Sequence, residues 1–146
     1  MAPRRKSKDA KVELLGRVPL FSACSKRELA RIASLADEVD VPEGKVLTRE
    51  GDPGREFFVV VEGKARVVVG GRGRLSALGP GASFGEMSLL DQGPRSATVE
   101  AETDMELLVL DARSFSSLLN EVPSVARKVL AAMAGRLRVA EKEATH

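Results

Sequence analysis

The stretch Phe84-Gly85-Glu86-Met87-Ser88-Leu89-Leu90-Asp91-Gln92-Gly93-Pro94-Arg95-Ser96-Ala97-Thr98-Val99 does more than any other to define this chain. A Gly-Glu pair opens a short apolar run, and an Arg-Ser pair starts an alternating segment beyond Gly93-Pro94. Met87, Leu89 and Leu90 need a core, which predicts a pinned loop. Glu86 and Arg95 then stand as opposite charges on tethered backbone. Charges beside a core are costly to leave alone, so they either pair with each other or receive a ligand. A ligand with hydroxyls and a phosphate would satisfy both.

Short strands lie on either side. Val39 and Val41 alternate with acids, Pro42-Glu43-Gly44 turns the chain, and Val46-Leu47-Thr48 resumes a strand. Gly51-Asp52-Pro53-Gly54 turns it again. Phe57 to Val61 is a continuous apolar run, suited to a strand buried on both faces. Ala65 to Val69 and Leu75 to Leu78 flank a glycine-rich tip at Gly70-Gly71-Arg72-Gly73, and Ala97 to Ala101 and Met105 to Leu110 add two more strands. Short strands with glycine-marked turns indicate an antiparallel sandwich or barrel.

Helices are expected at both ends. Residues 9–16 carry Val12, Leu14 and Leu15; Pro19 then stops regular helix in Val18-Pro19-Leu20-Phe21. Ser25-Lys26-Arg27-Glu28 has capping-box spacing before Leu29, Ile32, Ala33, Leu35 and Ala36. Cys24, just before the cap, reads as a packed small hydrophobe. Later, Asp111 or Ser114 can cap a helix with Phe115, Leu118 and Leu119, and Pro123 suits the first turn of a last helix. Val125, Val129, Met133 and Leu137 recur every four residues along it, a candidate homodimer stripe. Gly135 beside them could admit a second backbone. The expected organisation is a disordered basic tail over 1–8 and one domain over 9–146, with helices at 9–36, a β-roll at 37–111 and C-terminal helices at 112–141.

Composition narrows the chemistry. The 146 residues suit one domain with a real core. One cysteine, Cys24, and one histidine, His146, provide neither a disulfide nor a Cys/His metal cluster nor a nucleophile–histidine pair. No enzyme activity and no metal are therefore expected. No run reaches membrane-span length and no secretory h-region opens the chain, which makes the cytoplasm the expected compartment, with no membrane partner. Arg4, Arg5, Lys6 and Lys8 account for four of the 23 basic residues; the remaining 19 face 21 acidic ones. The body is thus not a general nucleic-acid binder.

Other glycine clusters lack the spacing of nucleotide loops: Gly79 to Gly85 is one residue too long for a dinucleotide turn, and Gly44-Lys45 and Gly63-Lys64 lack a Walker hydroxyl. In the central stretch several requirements coincide. Gly81 and Gly85 allow close backbone approach. The amides of Glu86, Met87 and Ser88 can face an anion. Arg95 offers a planar fork to two phosphate oxygens, and Ser96 adds a hydroxyl donor. The alternative is a Glu86–Arg95 ion pair that merely staples a loop.

Phe-Gly-Glu, an apolar pair and then Pro-Arg-Ser-Ala-Thr-Val resembles, nearly residue for residue, the phosphate-binding cassette of cyclic-nucleotide-binding domains. These include the catabolite activator regulators, the regulatory subunits of cyclic-AMP-dependent kinase and cyclic-nucleotide-gated channels. Glu50-Gly51-Asp52-Pro53, Phe57 to Gly63, Leu78-Gly79-Pro80-Gly81 and Met133 to Leu137 extend the resemblance over residues 18–141. It implies a mainly β, eight-stranded jelly roll (a double-stranded β-helix) with flanking helices. It also implies that Glu86 holds the ribose 2′-hydroxyl and Gly85 lets the sugar approach. Arg95 would neutralise the cyclic phosphate with Ser96 and the Ala97 amide; Val67, Leu75 and Leu78 would line the purine side; Arg136 would face the ligand. Where catabolite-activator-type proteins place hydroxyl residues near the base, this chain has Ala140 and Glu141, and any aromatic lid would have to be Phe.

The expectation is a stand-alone sensor for cyclic AMP or cyclic GMP that acts through its last helix on an unidentified downstream protein. Cyclic AMP is preferred, because guanine-selective relatives usually carry Thr at the position of Ser96. Two alternatives stand beside it. One is the sensor fragment of a catabolite-activator-type transcription regulator, although this chain carries no DNA-binding helix-turn-helix after its last helix. The other is an interaction module with a vestigial pocket.

Overall fold

The computed structural model describes residues 7–70 and 73–144, without the side chains of Arg74 and Leu75. Among the described residues eight strands form two four-stranded antiparallel sheets. β1 (Asp37–Val41), β8 (Met105–Asp111), β3 (Glu56–Glu62) and β6 (Ser83–Phe84) lie side by side in one. β2 (Val46–Thr48), β7 (Thr98–Ala101), β4 (Ala65–Val68) and β5 (Arg74–Leu78) make the other. This is the jelly roll. β6, only two residues long, is the strand that sequence pattern did not reveal; it pairs Phe84 with Phe58 and Ser83 with Val59.

The unbroken apolar run of β3 has a geometric cause. Successive side chains of a strand point to opposite faces, and both faces of β3 are covered. Phe57, Val59 and Val61 pack against the helices with Leu108 and Leu110. Phe58 and Val60 fill the interior of the roll with Leu107 and Val109. Phe21, Phe57 and Phe115 are fully buried in the helical core, with Phe21 edge-on to Phe57 at 6.1 Å between centroids.

Four helices cover that outer face. α1 spans Lys8–Gly16, with the Ser7 hydroxyl accepting from the Ala10 amide as its cap. Ordered helix therefore claims Lys8, which the sequence assigned to the tail; residues 1–6 of that tail lie outside the described residues. α2 spans Lys26–Ala33 with the expected capping box complete. α3 spans Ala112–Glu121, capped by Asp111 rather than Ser114. α4 runs from Pro123 to Ala144.

Only the first half of α4 belongs to the core. Val125 and Val129 are buried there, so they are not free for a dimer interface; the large exposed apolar residues of α4 are Leu130, Leu137 and Val139. Gly135 has open space around it, with no neighbouring backbone within reach of an added methyl. Buried Glu28, at the start of α2, holds this half in place. It accepts from the Ser25 amide at 2.7 Å and the Ser124 hydroxyl at 2.5 Å, and it pairs with Lys128. These contacts, led by the Lys128 bond, hold its carboxyl down at about 2. Among the described residues no helix is long and apolar enough to cross a membrane.

Candidate functional site

Arg95 sits where two loops are clamped together. Its amide donates to the Asp52 carbonyl at 2.7 Å, and its carbonyl accepts from the Gly51 amide at 2.9 Å. The Gly54 amide reaches the Gly93 carbonyl at 3.0 Å. The turn 51–54 and the loop 93–95 thus form one unit that fixes the root of the arginine side chain.

Two glycines make room for that side chain. Gly85 adopts φ +81°, a left-handed conformation that side chains disfavour. A methyl group there would lie 2.6 Å from Arg95 Nη1 and 2.9 Å from the Glu56 carbonyl. A methyl on Gly54 would overlap the Ser88 hydroxyl and lie 3.0 Å from Arg95 Nε. From sequence Gly54 was only a turn residue. Its second duty depends on a contact 41 positions away, which local pattern does not carry.

Beyond Gly85 the chain makes a 3-10 turn, Glu86–Leu89. Leu89 alone of its apolar residues is buried; Met87 is 46% and Leu90 41% exposed. The expectation that all three seek the core is corrected: a single turn has one inward face, and Leu89 occupies it. The Ser88 amide is also not free for an anion, because it donates to the Gly85 carbonyl at 3.0 Å. The buried Ser88 hydroxyl instead accepts from Arg95 Nη1 at 2.8 Å.

Glu86 and Arg95 do not pair with each other. Glu86 Oε1 takes its hydrogen bond from Arg136 of α4, while Oε2 is buried without a hydrogen-bond partner. A buried carboxylate oxygen without a donor is costly, and a ligand hydroxyl would complete it. Arg95 lies under the opposite stress. Burial pushes its pKa down, opposed in part by the charge of Glu56. Besides Ser88, it has the face of the Phe58 ring, 5.9 Å from Cζ to centroid. A half-buried guanidinium with so few acceptors is suited to an anion.

Two cavities meet at this arginine. The outer one, about 430 Å³, is lined by Gly85, Glu86, Met87, Ser88, Arg95, Ser96 and Arg136 among others. The inner one, about 220 Å³, is lined by Val67, Leu78, Phe84, Ala97 and Val99, and again by Gly85, Arg95 and Ser96. The outer volume falls within the roughly 300–1,000 Å³ usual for small-molecule sites. The structure thus gathers ten of the eleven expected site residues around one cleft; the side chain of the eleventh, Leu75 in β5, lies outside the description. Ala140 lines a separate groove with Pro19, Ser22 and Gly135. Phe84, stacked on Phe58 at 4.8 Å, is the aromatic wall of the inner cavity. No group of three or more His, Cys, Asp or Glu side chains placed to hold a metal occurs among the described residues.

The sequence profile of the cyclic nucleotide-binding domain family matches residues 38–122. The cyclic AMP receptor protein of Thermus thermophilus is 40% identical over 129 residues, 86% of this chain and 60% of that protein. The cAMP-dependent protein kinase regulatory subunit of Schizosaccharomyces pombe is 34% identical over 78% of this chain and 28% of its own length. Among solved structures, the N-terminal domain of a transcriptional regulator from Streptomyces coelicolor superposes with a TM-score of 0.82 at 38% identity, over 89% of this chain and 93% of that one. This chain therefore spans 60% and 28% of the lengths of these two relatives.

Proposed function

Because this chain belongs to the cyclic nucleotide-binding domain family, we propose that it binds a purine 3′,5′-cyclic mononucleotide, cyclic AMP in preference to cyclic GMP, and passes the signal on through α4 without altering the ligand. The phosphate goes to Arg95 at the waist between the two cavities, with the Ser96 hydroxyl and Ala97 amide beside it. The ribose 2′-hydroxyl donates to Glu86 Oε2, across Gly85 and past Met87 and Ser88. The purine enters the inner cavity against Val67 and Leu78. One observation carries this reading above the others: the carboxylate and guanidinium that could have neutralised each other are held apart, one with a buried oxygen lacking any donor.

Arg136 joins this site to α4. A hydroxyl arriving at Glu86 changes what Arg136 holds, and so shifts the balance between positions of the half of α4 beyond the core. The exposed Leu137 and Val139 on that half are where a homodimer would form, and light scattering with and without nucleotide reads it. Titration calorimetry with cyclic AMP and cyclic GMP tests the binding itself: saturable heat is expected from both, stronger from cyclic AMP. No heat from either at millimolar concentration would sink the reading, and equal affinities would remove the adenine preference.

The longer relatives favour one further reading, that the domain is the sensor half of a DNA-binding regulator. Whether the reading frame continues past His146 into a helix-turn-helix separates it from the stand-alone sensor.

A further inference from the structure

Arg95 also forms part of the wall of a different cavity. A cleft of about 550 Å³, which Glu86 does not line, is walled by Gly44 to Arg49, Asp52, Pro53, Arg55 and Glu56, with Arg95 among its lining residues. Lys45, Arg49 and Arg55 line it, as do Asp52 and Glu56. With Arg95, four cations face two carboxylates, which leaves two positive charges in excess.

Lys45, Arg49 and Arg55 are not among the cations that the structure pairs with a carboxylate. Lys11, Arg17, Arg31, Arg66, Lys128 and Arg136 all have carboxylate partners. Lys45, Arg49 and Arg55 have no ion-pair or hydrogen-bond partner for their side chains among the described residues. An isolated surface cation usually stays solvated and contributes little. Three of them around one concavity, with a half-buried guanidinium in its wall, raise the local potential for an anion.

We propose that this outer cleft is a second ligand site, for a small hydroxyl-bearing organic phosphate. Lys45, Arg49 and Arg55 hold the phosphate, and Asp52 and Glu56 accept from the hydroxyls. The carboxylates decide the class: they repel a bare anion and favour one that brings its own donors. The site is separate from the cassette cleft yet mechanically joined to it. Asp52 and Gly51 carry the backbone bonds that fix Arg95, and Gly54 carries the bond to Gly93.

Titration of the ¹⁵N-labelled protein with ribose 5-phosphate at low ionic strength, followed by amide shifts, tests this without any cyclic nucleotide present. Saturable shifts are expected at residues 45–49 and 52–56, with the Arg95 amide moving as well. In Arg49→Gln/Arg55→Gln, whose side chains are exposed and unpaired, the dissociation constant should rise about tenfold, as loss of charge-assisted bonds implies. In Arg113→Gln/Arg127→Gln, which removes two exposed cations that line neither cleft, it should stay at the wild-type value. The same affinity in Arg49→Gln/Arg55→Gln, an equal loss in Arg113→Gln/Arg127→Gln, or no saturable shift would overturn the site. Inorganic phosphate binding as tightly as ribose 5-phosphate would overturn the hydroxyl-bearing class.

Discussion

α4 is one continuous helix held by two carboxylates, and the two are treated differently. At its start, Glu28 is fully employed: Lys128, the Ser124 hydroxyl and the Ser25 amide account for both of its oxygens. Val125 and Val129 pack beside it in the core. Farther along, Glu86 is half employed. One oxygen takes Arg136 and the other is buried with nothing to accept from. Past Met133 every residue of α4 is exposed. A carboxylate with all of its bonds made is an anchor. A carboxylate with one bond missing carries a cost that a ligand hydroxyl would remove. Charge and residue type are the same at both places; the number of unmet bonds separates structure from recognition.

The most forceful way to break this contrast is Arg95→Leu. It removes the cation from the half-satisfied side, and cyclic nucleotide affinity should fall by roughly 3–5 kcal/mol, the usual loss when a buried charge is stranded without its partner. Because burial already opposes the charge of Arg95, the thermal midpoint without ligand should hold or rise. Calorimetry and a melting curve on the same sample read both. Unchanged affinity would show that the phosphate binds elsewhere, and a collapsed midpoint would make Arg95 an anchor like Glu28.

Glu28→Ala should give the converse: about 2–3 kcal/mol of folding stability lost, since a buried, fully bonded charge is removed and Lys128 is left half-exposed. The same group sets an acid limit. Its folded carboxyl sits at about 2 against an ordinary 4.5. A depressed carboxyl contributes stability that is fully present above its unfolded value. That contribution, on the order of 3 kcal/mol, disappears as pH falls from 4.5 towards 2. Urea midpoints should therefore drop across that window in wild type and drop less in Glu28→Ala. Parallel slopes would deny Glu28 its role.

Much of this was legible beforehand, for physical reasons. The turn glycines and the double-faced run of Phe57 to Val61 declare strands locally, and the capping box at Ser25 and Glu28 declares a helix start. The cassette is equally local, since Gly85, Glu86, Arg95 and Ser96 lie within about a dozen positions of one another. What stayed hidden depends on distant partners. Glu28 looked like an ordinary capping glutamate because its bonds to Ser124 and Lys128 span about a hundred positions. Val125 and Val129 looked available for a dimer because periodicity marks an apolar stripe without saying what covers it. β6 is too short to show any period.

A gentler test sharpens the same contrast. Glu86→Ala should cost about 1–2 kcal/mol of nucleotide affinity, the worth of a hydrogen bond between a neutral hydroxyl and a charged acceptor. It should cost little stability, because the variant also removes an unsatisfied oxygen. A stability loss matching that of Glu28→Ala would mean that the two carboxylates do the same job after all.

Arg136→Ala is the finest probe. Arg136 is 47% exposed, so its pair with Glu86 is screened and should contribute less than about 1 kcal/mol to folding. Its effect belongs instead to the outer half of α4, which this pair ties to the roll. Amide exchange from Ala134 to Val139 should therefore quicken in the variant, while Val125 and Val129 keep their protection. If exchange slows or spares that segment, the outer half is held by something other than the cassette, and α4 has no route by which to register the ligand.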